Sequence, residues 1–441
     1  MKKYLILLSA FILCGQAVAQ QNIGLHFTDV WQQNRTNPAF FSDQKLTIGL
    51  TSFYNNSLVE GVTLSEVIRE ENGQNILDID AAIAGMGEEN DLQQFFVLET
   101  VNVGLNLGKI GLSLSHALKF DAVYTYPKSF AQVIFQGNAQ FVGQTAELGS
   151  RIDFKTYNEI ALGAAYQTEK FSIGGRAKYL VGAGSAVTNP DRRSASVYTD
   201  PDIYQLTLTT DYELRTAAFV DFNDFDDIQF DYSPSTEDIQ FGGGNTGFAF
   251  DLGAAADLGK LHLAASVLDL GGVITWEEDA TAYSTNGTFT YEGLDISDAL
   301  SGEAVDFASA LDTLQQIFGI QESNTEFETD LATQAYVSAR YDLTEKLTLG
   351  ALYYGRFADI KSRSAVALSG QYKLADNISA GATYAVIDDT FTNLGLNGAV
   401  TLGPVQIYAV TDNVFGLISQ KDGENVNFRF GLNLLLGKKT D

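Results

Sequence analysis

The 441-residue sequence contains one cysteine, two methionines and six prolines. Its single cysteine, Cys14, lies in the N-terminal leader described below, so disulfides are excluded as a source of stability in the mature chain. After the leader no apolar run is long enough to form a transmembrane helix, which needs about eighteen or more consecutive apolar residues. Glycine (41 residues) and aromatic side chains (12%) are plentiful.

The first nineteen residues have the organisation of a secretory signal peptide. Lys2 and Lys3 form a basic start, residues 4–13 are apolar, and Ala17 and Ala19 flank Val18 as a small-residue cleavage site. We therefore expect cleavage after Ala19. An exported chain rich in glycine, tyrosine and phenylalanine is typical of a β-barrel in the outer membrane of a Gram-negative bacterium.

The formal net charge of −28 makes nucleic acid an implausible partner. The charge is also unevenly distributed. Between Arg215 and Arg340 the only basic residue is Lys260, and acidic residues are concentrated in the long connections. Lysines instead occupy short turns, so the sequence predicts a barrel whose two rims differ in charge.

Six short turns recur between alternating segments. They read LGKIG from Leu107, TEKFS from Thr168, DLGKL from Asp257, TEKLT from Thr344, LADNI from Leu374 and LGPVQ from Leu402. Six short turns, with both chain ends on one side, require fourteen strands. We place these strands near 45–54, 97–107, 110–118, 148–167, 170–184, 245–258, 260–274, 328–343, 346–357, 362–374, 377–387, 390–402, 404–411 and 425–437.

The segments alternate with a period of two residues over about ten residues. In the last segment Phe430 and Leu432 share one face, whereas Arg429 and Asn433 share the other. A soluble sandwich also alternates, but its strands usually have about five or six residues. Long strands with apolar and polar faces indicate a lipid-facing wall around a wet lumen. The predicted fold class is all-β: a 14-stranded antiparallel transmembrane β-barrel over residues 45–437.

Four connections are too long for hairpins: 55–96, 119–147, 185–244 and 275–327. We expect them to be extracellular loops that contain helices. Thr63 and Glu66 form a capping box, and Pro127 precedes a helical pattern. Residues 204–219 form an extra hairpin pattern, and an apolar stripe runs from Leu300 to Phe318.

Nothing in the sequence predicts an enzyme, a cofactor or a metal site. The three histidines, His26, His116 and His262, are scattered, with the last two expected in strands near the periplasmic rim, and no nucleophile-elbow motif is present. GGGNTG at 242–247 precedes a strand instead of linking a strand to a helix, so it does not predict nucleotide binding. The acidic run 221–231 fails the EF-hand spacing. An alternative role for this acidic run is loose bridging of divalent cations at the lipopolysaccharide surface.

The stretch QNRTNPAFF, residues 33–41, lies between the leader and the first strand. With its Asn37-Pro38-Ala39 core ahead of a fourteen-strand barrel, the chain resembles a Bacteroidota outer-membrane β-barrel family of unknown function. That family is related to the long-chain fatty acid transporter (FadL-like) superfamily. The resemblance implies that residues 20–44 fold into the lumen as a plug. The superfamily also includes a barrel subunit that serves as a shuttle in type IX secretion. From the residues alone, Asn37 and Pro38 are equally consistent with a plain structural turn.

Two functions remain open. The first is a plugged channel that takes up or binds small hydrophobic molecules, with Asn37, Pro38, Ala39, Phe40 and Phe41 in the plug. The second is a non-transporting accessory subunit of an outer-membrane assembly or type IX secretion complex, whose loops bind protein partners. Outer-membrane lipid and lipopolysaccharide are expected to surround either protein. Apolar connected cavities would favour transport, whereas a polar filled lumen would favour the accessory role.

The predicted topology places the short turns in the periplasm and the acidic connections outside the cell. Because the mature chain lacks cysteine, Lys260→Cys and Ser233→Cys each introduce one thiol. On intact cells an impermeant maleimide is expected to label position 233 and to spare position 260. The opposite labelling pattern would invert the topology.

Overall fold

A computed structural model describes residues 22–60, 68–71, 74–218, 220–224, 227–230, 244–291, 319–387, 390–418 and 425–438. Three predictions lie outside these ranges: the leader, the capping box at Thr63 and Glu66, and the apolar stripe from Leu300 to Phe318.

Within the described residues, fourteen long strands form one closed antiparallel ring, which confirms the predicted barrel. Each strand pairs with its neighbours in chain order, and the ring closes where β1 pairs with both β2 and β14. The strands are β1 Gln44–Val59, β2 Glu89–Leu107, β3 Ile110–Pro127, β4 Arg151–Gln167, β5 Phe171–Thr199, β6 Thr246–Asp257, β7 Leu261–Trp276, β8 Thr333–Asp342, β9 Leu347–Phe357, β10 Arg363–Ala375, β11 Ile378–Ile387, β12 Thr390–Leu402, β13 Val405–Thr411 and β14 Asn425–Lys438.

The ring is apolar outside and largely polar inside. On β10, Val366 and Leu368 point outward and are 58% and 62% exposed, whereas Ala367 between them is buried. On β14, Leu432 points outward and Asn433 is fully buried in the interior. The outward faces carry a belt of exposed apolar side chains that includes Leu112, Leu114, Leu162, Phe248, Phe250, Leu252, Val366, Leu368, Leu396, Phe430 and Leu432. This arrangement reverses that of a soluble protein.

The repeated turns are closed in two ways. The LG turns place glycine in the left-handed region, with φ of 82° at Gly108 and 84° at Gly259, where a side chain would be strained. The two TEK turns use a threonine hydroxyl instead. The backbone N–H of Phe171 donates to Thr168 Oγ1, and that of Leu347 donates to Thr344 Oγ1, both at 3.0 Å. We call this end of the barrel the turn rim and the opposite end the loop rim.

Several strands continue beyond the expected barrel wall at the loop rim. Strand β5 runs for 29 residues, and its distal part leaves β6 to pair with a strand at Leu206–Ala217. That strand pairs with Ala280–Tyr291, which in turn pairs with Gln321–Asn324. The hairpin predicted within residues 204–219 is therefore wrong: Leu206–Ala217 is one continuous strand, and its hairpin partner is the distal part of β5. Strands β1, β2 and β3 also extend into residues that the sequence analysis placed in connections. The alternation of apolar and polar residues continues beyond the barrel wall, so it does not show where the wall ends.

The described helices are short, and none is long and apolar enough to cross a membrane. Pro127 precedes the second loop helix, as its sequence pattern predicts. The α-helices are α1 Ile23–His26, α2 Ile79–Gly85, α3 Lys128–Gln136 and α4 Val414–Ile418, with 3-10 turns at Trp31–Arg35 and Asn138–Phe141. Short strands occur at Ile68–Glu71, Gln74–Leu77, Thr145–Glu147, Val220–Asp224, Asp227–Phe230 and Phe327–Asp330.

If the apolar belt faces lipid, the cost of a charge on it depends on depth. We expect Leu432→Arg, in the middle of β14, to destabilise the barrel by roughly 2–4 kcal/mol. The same change at Leu402, beside the turn at Gly403, should cost about 0–1 kcal/mol because the headgroup region solvates it. Unfolding in lipid vesicles, followed by heat-modifiable gel mobility, measures both. Equal costs at the two sites would contradict a depth-dependent membrane belt.

Candidate functional site

Residues 22–41, called the luminal segment below, lie inside the ring. The segment contains α1 and the 3-10 turn at Trp31–Arg35. Its side chains reach strands on opposite sides of the barrel: Trp31 Nε1 donates to Asn102 O of β2, and His26 Nε2 lies 2.8 Å from Ser338 Oγ of β8. A segment with contacts all round the ring occupies its interior.

The predicted plug motif, Asn37 to Phe41, lies at the turn-rim end of this segment. Asn37 Nδ2 donates to two backbone carbonyls, Ala254 O at 3.1 Å and Ala265 O at 3.2 Å, and so joins the segment to β6 and β7. Asn37 Oδ1 also accepts the N–H of Ala39, which closes an Asx turn around Pro38. Asn37 therefore forms a structural turn and also attaches the luminal segment to the barrel wall.

The aromatic members of the motif pack on other parts of the segment. The Phe40 ring lies 5.3 Å from the His26 ring, and the Phe41 ring lies 5.1 Å from that of Trp31. Trp31 and Phe41 in turn lie against inward glycines, since a Cβ at Gly104 or Gly111 would overlap their rings. Small residues on the wall thus leave space for the large residues of the segment.

His26 is fully buried at the centre of this packing. Its ring stacks on Tyr336 at 5.5 Å, and its Nδ1 lies 2.9 Å from Thr36 Oγ1. Burial, together with the charge of Arg340, lowers the pKa of His26 to about 3. The side chain is therefore neutral at physiological pH and serves as a hydrogen-bonding link instead of a proton-transfer group.

One half of the lumen, on β2 to β7, carries a network of ion pairs. Lys178 Nζ lies 2.7 Å from Asp251 and 2.6 Å from Asp269, and Lys119 Nζ lies 2.5 Å from Glu159. We call this set the charged wall; its members are Glu99, Lys119, Glu159, Arg176, Lys178, Asp251 and Asp269.

The luminal segment contributes Arg35 to the charged wall. Arg35 pairs with Glu99 through Nε and with Glu159 through Nη1, the latter at 3.1 Å. Burial alone would lower the pKa of Arg35, but these two carboxylates outweigh it and raise that pKa above its usual value. Because a buried carboxylate that loses its partner costs about 3–5 kcal/mol, Arg35 ties the segment firmly to this wall.

The opposite side of the lumen, on β7 to β11, carries an apolar cluster beside polar inward residues such as Arg356, Arg363 and Ser369. We call this cluster the apolar slot: Leu268, Tyr336, Leu352, Tyr354, Ala365, Ala367, Ala385 and Ile387. Ile23 and Phe27 of the luminal segment pack into the slot and are almost completely buried there. A Cβ at Gly350 would overlap the Phe27 ring, so glycine at that position makes room for it.

Little space remains between these surfaces. A central cavity of about 100 Å³ lies between the charged wall, the apolar slot and the luminal segment. Two larger cavities, of about 470 and 450 Å³, lie at the turn rim, and both are lined by Asp29, Gln33, Phe40, Phe41 and Asp43. The luminal segment therefore separates the central cavity from the turn-rim cavities.

The three histidines do not come together. His116 points outward from β3, with Nδ1 2.8 Å from Thr100 Oγ1 and Nε2 3.2 Å from Asn158 Oδ1. It therefore lies on the outer wall, not in the lumen. His262, close to a turn, lies 3.0 Å from Asp342 Oδ2. In the described part of the chain, no cluster of His, Cys, Asp or Glu is arranged to hold a metal ion.

The ion pairs of the charged wall were not predicted from sequence. Lys119, Glu159 and Lys178 stand at inward positions within strands, so the alternation could have marked them as luminal. Their pairing could not be read from the sequence, since Lys178 and Asp269 are 91 residues apart.

At the loop-rim side, Asp412 holds the start of the luminal segment. This residue follows β13, and its Oδ1 accepts the backbone N–H of Gly24 at 2.5 Å. Burial raises the pKa of Asp412 to about 6 from its usual 3.8, against the opposing effects of the backbone N–H groups of Gly24 and Ile23 and the charge of Arg429. Above pH 6 Asp412 is therefore ionised in the folded state, and its burial lowers the free energy of unfolding.

Comparison with known proteins gives a family. The model described as "Family of unknown function (DUF5723)" matches residues 38–412. No curated protein matches the chain in sequence. The structure is similar to the Ralstonia pickettii toluene transporter TbuX, with 9% identity, a TM-score of 0.45 and coverage of 92% of this chain and 94% of that one.

Two further solved structures are similar at the same level. The Pseudomonas putida toluene transporter TodX has 8% identity and a TM-score of 0.40, with 91% of each chain covered. The translocator domain of the autotransporter NalP from Neisseria meningitidis has 7% identity and a TM-score of 0.33, with 91% of this chain and 94% of that one covered.

The raised pKa of Asp412 predicts a pH-dependent effect of Asp412→Asn. At pH 7.5 the asparagine should raise the melting temperature, because it keeps an acceptor for Gly24 without a buried charge; the shift from 3.8 to about 6 corresponds to roughly 3 kcal/mol. Well below pH 3.8 the carboxyl is protonated in both the folded and the unfolded state, and the advantage should vanish. Melting of both proteins in detergent from pH 3 to 8 measures this. A difference that does not change with pH would refute the assignment.

Proposed function

The chain belongs to the family of unknown function DUF5723, whose model covers most of it, and we propose that it is a plugged outer-membrane β-barrel that takes up or binds small hydrophobic molecules. In this proposal residues 1–19 are removed as a signal peptide, and residues 20–44 are the plug. The apolar belt faces membrane lipid and lipopolysaccharide. The turn rim faces the periplasm and the loop rim faces outward.

The observation that carries the proposal is the apolar slot and its occupants. Eight inward side chains on β7 to β11 form an apolar surface inside an otherwise polar lumen, and Ile23 and Phe27 cover it. Covering this surface removes it from water, which stabilises the closed state by about 1.5–3 kcal/mol for each fully buried large side chain. A hydrophobic molecule of similar size can replace these side chains and recover the same free energy. The slot is thus a binding surface occupied by the chain itself.

The loop rim offers a place for such molecules to collect. On α3, Ile134 and Phe135 are largely exposed, and on α4 so are Phe415 and Ile418. Helix α4 begins two residues after Asp412, which holds the N–H of Gly24 beside the slot. A molecule that displaces α4 therefore acts on the contact that fixes the start of the plug.

The charged wall and the small central cavity favour a second function. The central cavity is only about 100 Å³, and much of its lining is charged. A polar, nearly filled interior suits a non-transporting accessory subunit whose extracellular loops bind protein partners. In that case the luminal segment would be a permanent filling of the barrel, and the apolar slot would only be part of its core.

Binding of an apolar fluorophore distinguishes the two functions. Purified protein is titrated with N-phenyl-1-naphthylamine, and Phe27→Ala is compared with the unmodified chain. If the slot is the binding surface, Phe27→Ala should bind about tenfold or more tightly, because the ligand no longer competes with a buried ring worth about 1.5–3 kcal/mol. The chain has two tryptophans, Trp31 and Trp276. Replacing Trp276 by Phe leaves Trp31 as the only one, so a change in tryptophan fluorescence on ligand binding reports displacement of the luminal segment.

Phe41→Ala is the matched control, since it removes an aromatic ring from the same segment on the side of the turn rim. Its affinity for the fluorophore should equal that of the unmodified protein. No saturable binding by either the unmodified protein or Phe27→Ala, with the barrel shown to be folded, would reject the slot and favour the accessory function.

A further inference from the structure

Arg429 is a buried cation that has no acidic partner among the described residues. It lies on the inward face of β14 and is 4% exposed. Its Nε donates to Asn22 Oδ1 at 3.1 Å and its Nη1 to Ser52 Oγ at 3.3 Å, both neutral groups, and its guanidinium lies over the Tyr54 ring. Among the described residues it forms no ion pair within 4.0 Å. An unpaired buried charge is costly unless another group compensates it.

The other charges around it are already matched. The central cavity is lined by six cationic side chains and five carboxylates, and each of the five carboxylates forms an ion pair with another lining cation. Arg429 is the cation left over. Asp412 acts on it through space, but that carboxylate accepts the N–H of Gly24 and does not pair with Arg429.

Two more polar atoms on the same cavity lack partners. Arg35 Nη2 is buried and donates to no group in the described structure, although Nε and Nη1 of that residue are paired. Asp121 Oδ1 is buried and accepts from no group, while its Oδ2 pairs with Arg356. Both atoms belong to residues that line the cavity, as does the guanidinium of Arg429.

We infer that the central cavity binds a small oxyanion of the hydrogen phosphate type, held by Arg429 of the wall and Arg35 of the luminal segment. Guanidinium groups bind such oxyanions through paired, charge-assisted N–H donors. The O–H of a monoprotonated oxyanion can donate to Asp121 Oδ1. A volume of about 100 Å³ suits one such ion and excludes a lipid tail. The cavity borders the apolar slot at Leu268 and Tyr336, but anion binding there does not depend on a hydrophobic ligand.

The expected consequence is a ligand-dependent closure of the barrel. Because the ion touches both the wall and the segment, it stabilises the closed arrangement in proportion to its concentration. It would therefore act as a regulatory ligand, with depletion of the anion loosening the luminal segment.

The test is the binding of inorganic phosphate to the purified full-length barrel in detergent, measured by titration calorimetry and by melting at constant ionic strength set with sodium chloride. Phosphate should raise the melting temperature of the unmodified protein, and sulfate, which carries no proton at pH 7.5, should bind more weakly. Arg429→Gln should weaken phosphate binding at least tenfold, whereas Arg429→Lys should retain part of it. Arg192→Gln, which removes a guanidinium from the β5 extension, is the matched control and should bind like the unmodified protein.

Three results would overturn the inference. The first is no phosphate binding to the unmodified protein. The second is an equal effect of phosphate on unmodified protein and Arg429→Gln; if that variant does not fold, the same comparison is made with Arg429→Lys. The third is binding of hexyl phosphate but not of inorganic phosphate, which would assign the cations to the headgroup of an amphipathic cargo.

Discussion

A closed ring of fourteen strands encloses a space that its own inward side chains do not fill, and the rest of the structure depends on how that space is occupied. Here the luminal segment occupies it. Arg35 neutralises Glu99 and Glu159 on one side, while Ile23 and Phe27 cover the apolar slot on the other. Removing the segment would leave buried carboxylates partly unpaired and an apolar surface uncovered at the same time. The segment therefore stabilises the barrel while it occupies the lumen.

The two halves of the lumen explain why both proposed functions remain physically coherent. The ion pairs between Arg35 and the charged wall favour a permanently seated segment, because a buried ion pair requires good geometry and is costly to break. The apolar slot is different, because apolar contacts are not directional and one apolar occupant can replace another. An opening that releases Ile23 and Phe27 while Arg35 stays paired would expose the slot without the cost of breaking the ion pairs. The glycine at position 350 and the alanines at 365, 367 and 385 keep this part of the wall wide enough for an occupant.

The barrel could be predicted from sequence because its signals are local. Alternation at Val366 and Leu368 assigns the lipid face within one strand, and Gly108 or Thr168 marks a turn within five residues. The Asn37-Pro38-Ala39 stretch predicts a family of unknown function, and the family match confirms this, while the Bacteroidota lineage stays a prediction. The extension of β5 was missed because its alternation continues unchanged from the wall into the extension.

The interior could not be predicted because its interactions are remote in sequence. Arg35 meets Glu159 across 124 residues, and Gln32 meets Asn433 across 401. The outward position of His116, with Thr100 and Asn158 beside it, likewise depends on the register of three strands. Inward polarity in a strand shows that a residue faces the lumen, but only the register shows which residue it meets.

The central claim, that the luminal segment must move for a hydrophobic molecule to pass, is tested most directly by locking it. A Cβ at Gly24 would lie 3.0 Å from Val410 Cγ1 and 2.8 Å from Asp412 Oδ1, so Gly24→Cys with Val410→Cys places two thiols close enough for a disulfide between α1 and β13 once the Asp412 side chain shifts. Uptake of N-phenyl-1-naphthylamine is then measured in cells carrying the oxidised or the reduced protein. The account predicts that oxidation stops barrel-dependent uptake and that reduction restores it. Equal uptake in both states, with the disulfide shown to be formed, would contradict it.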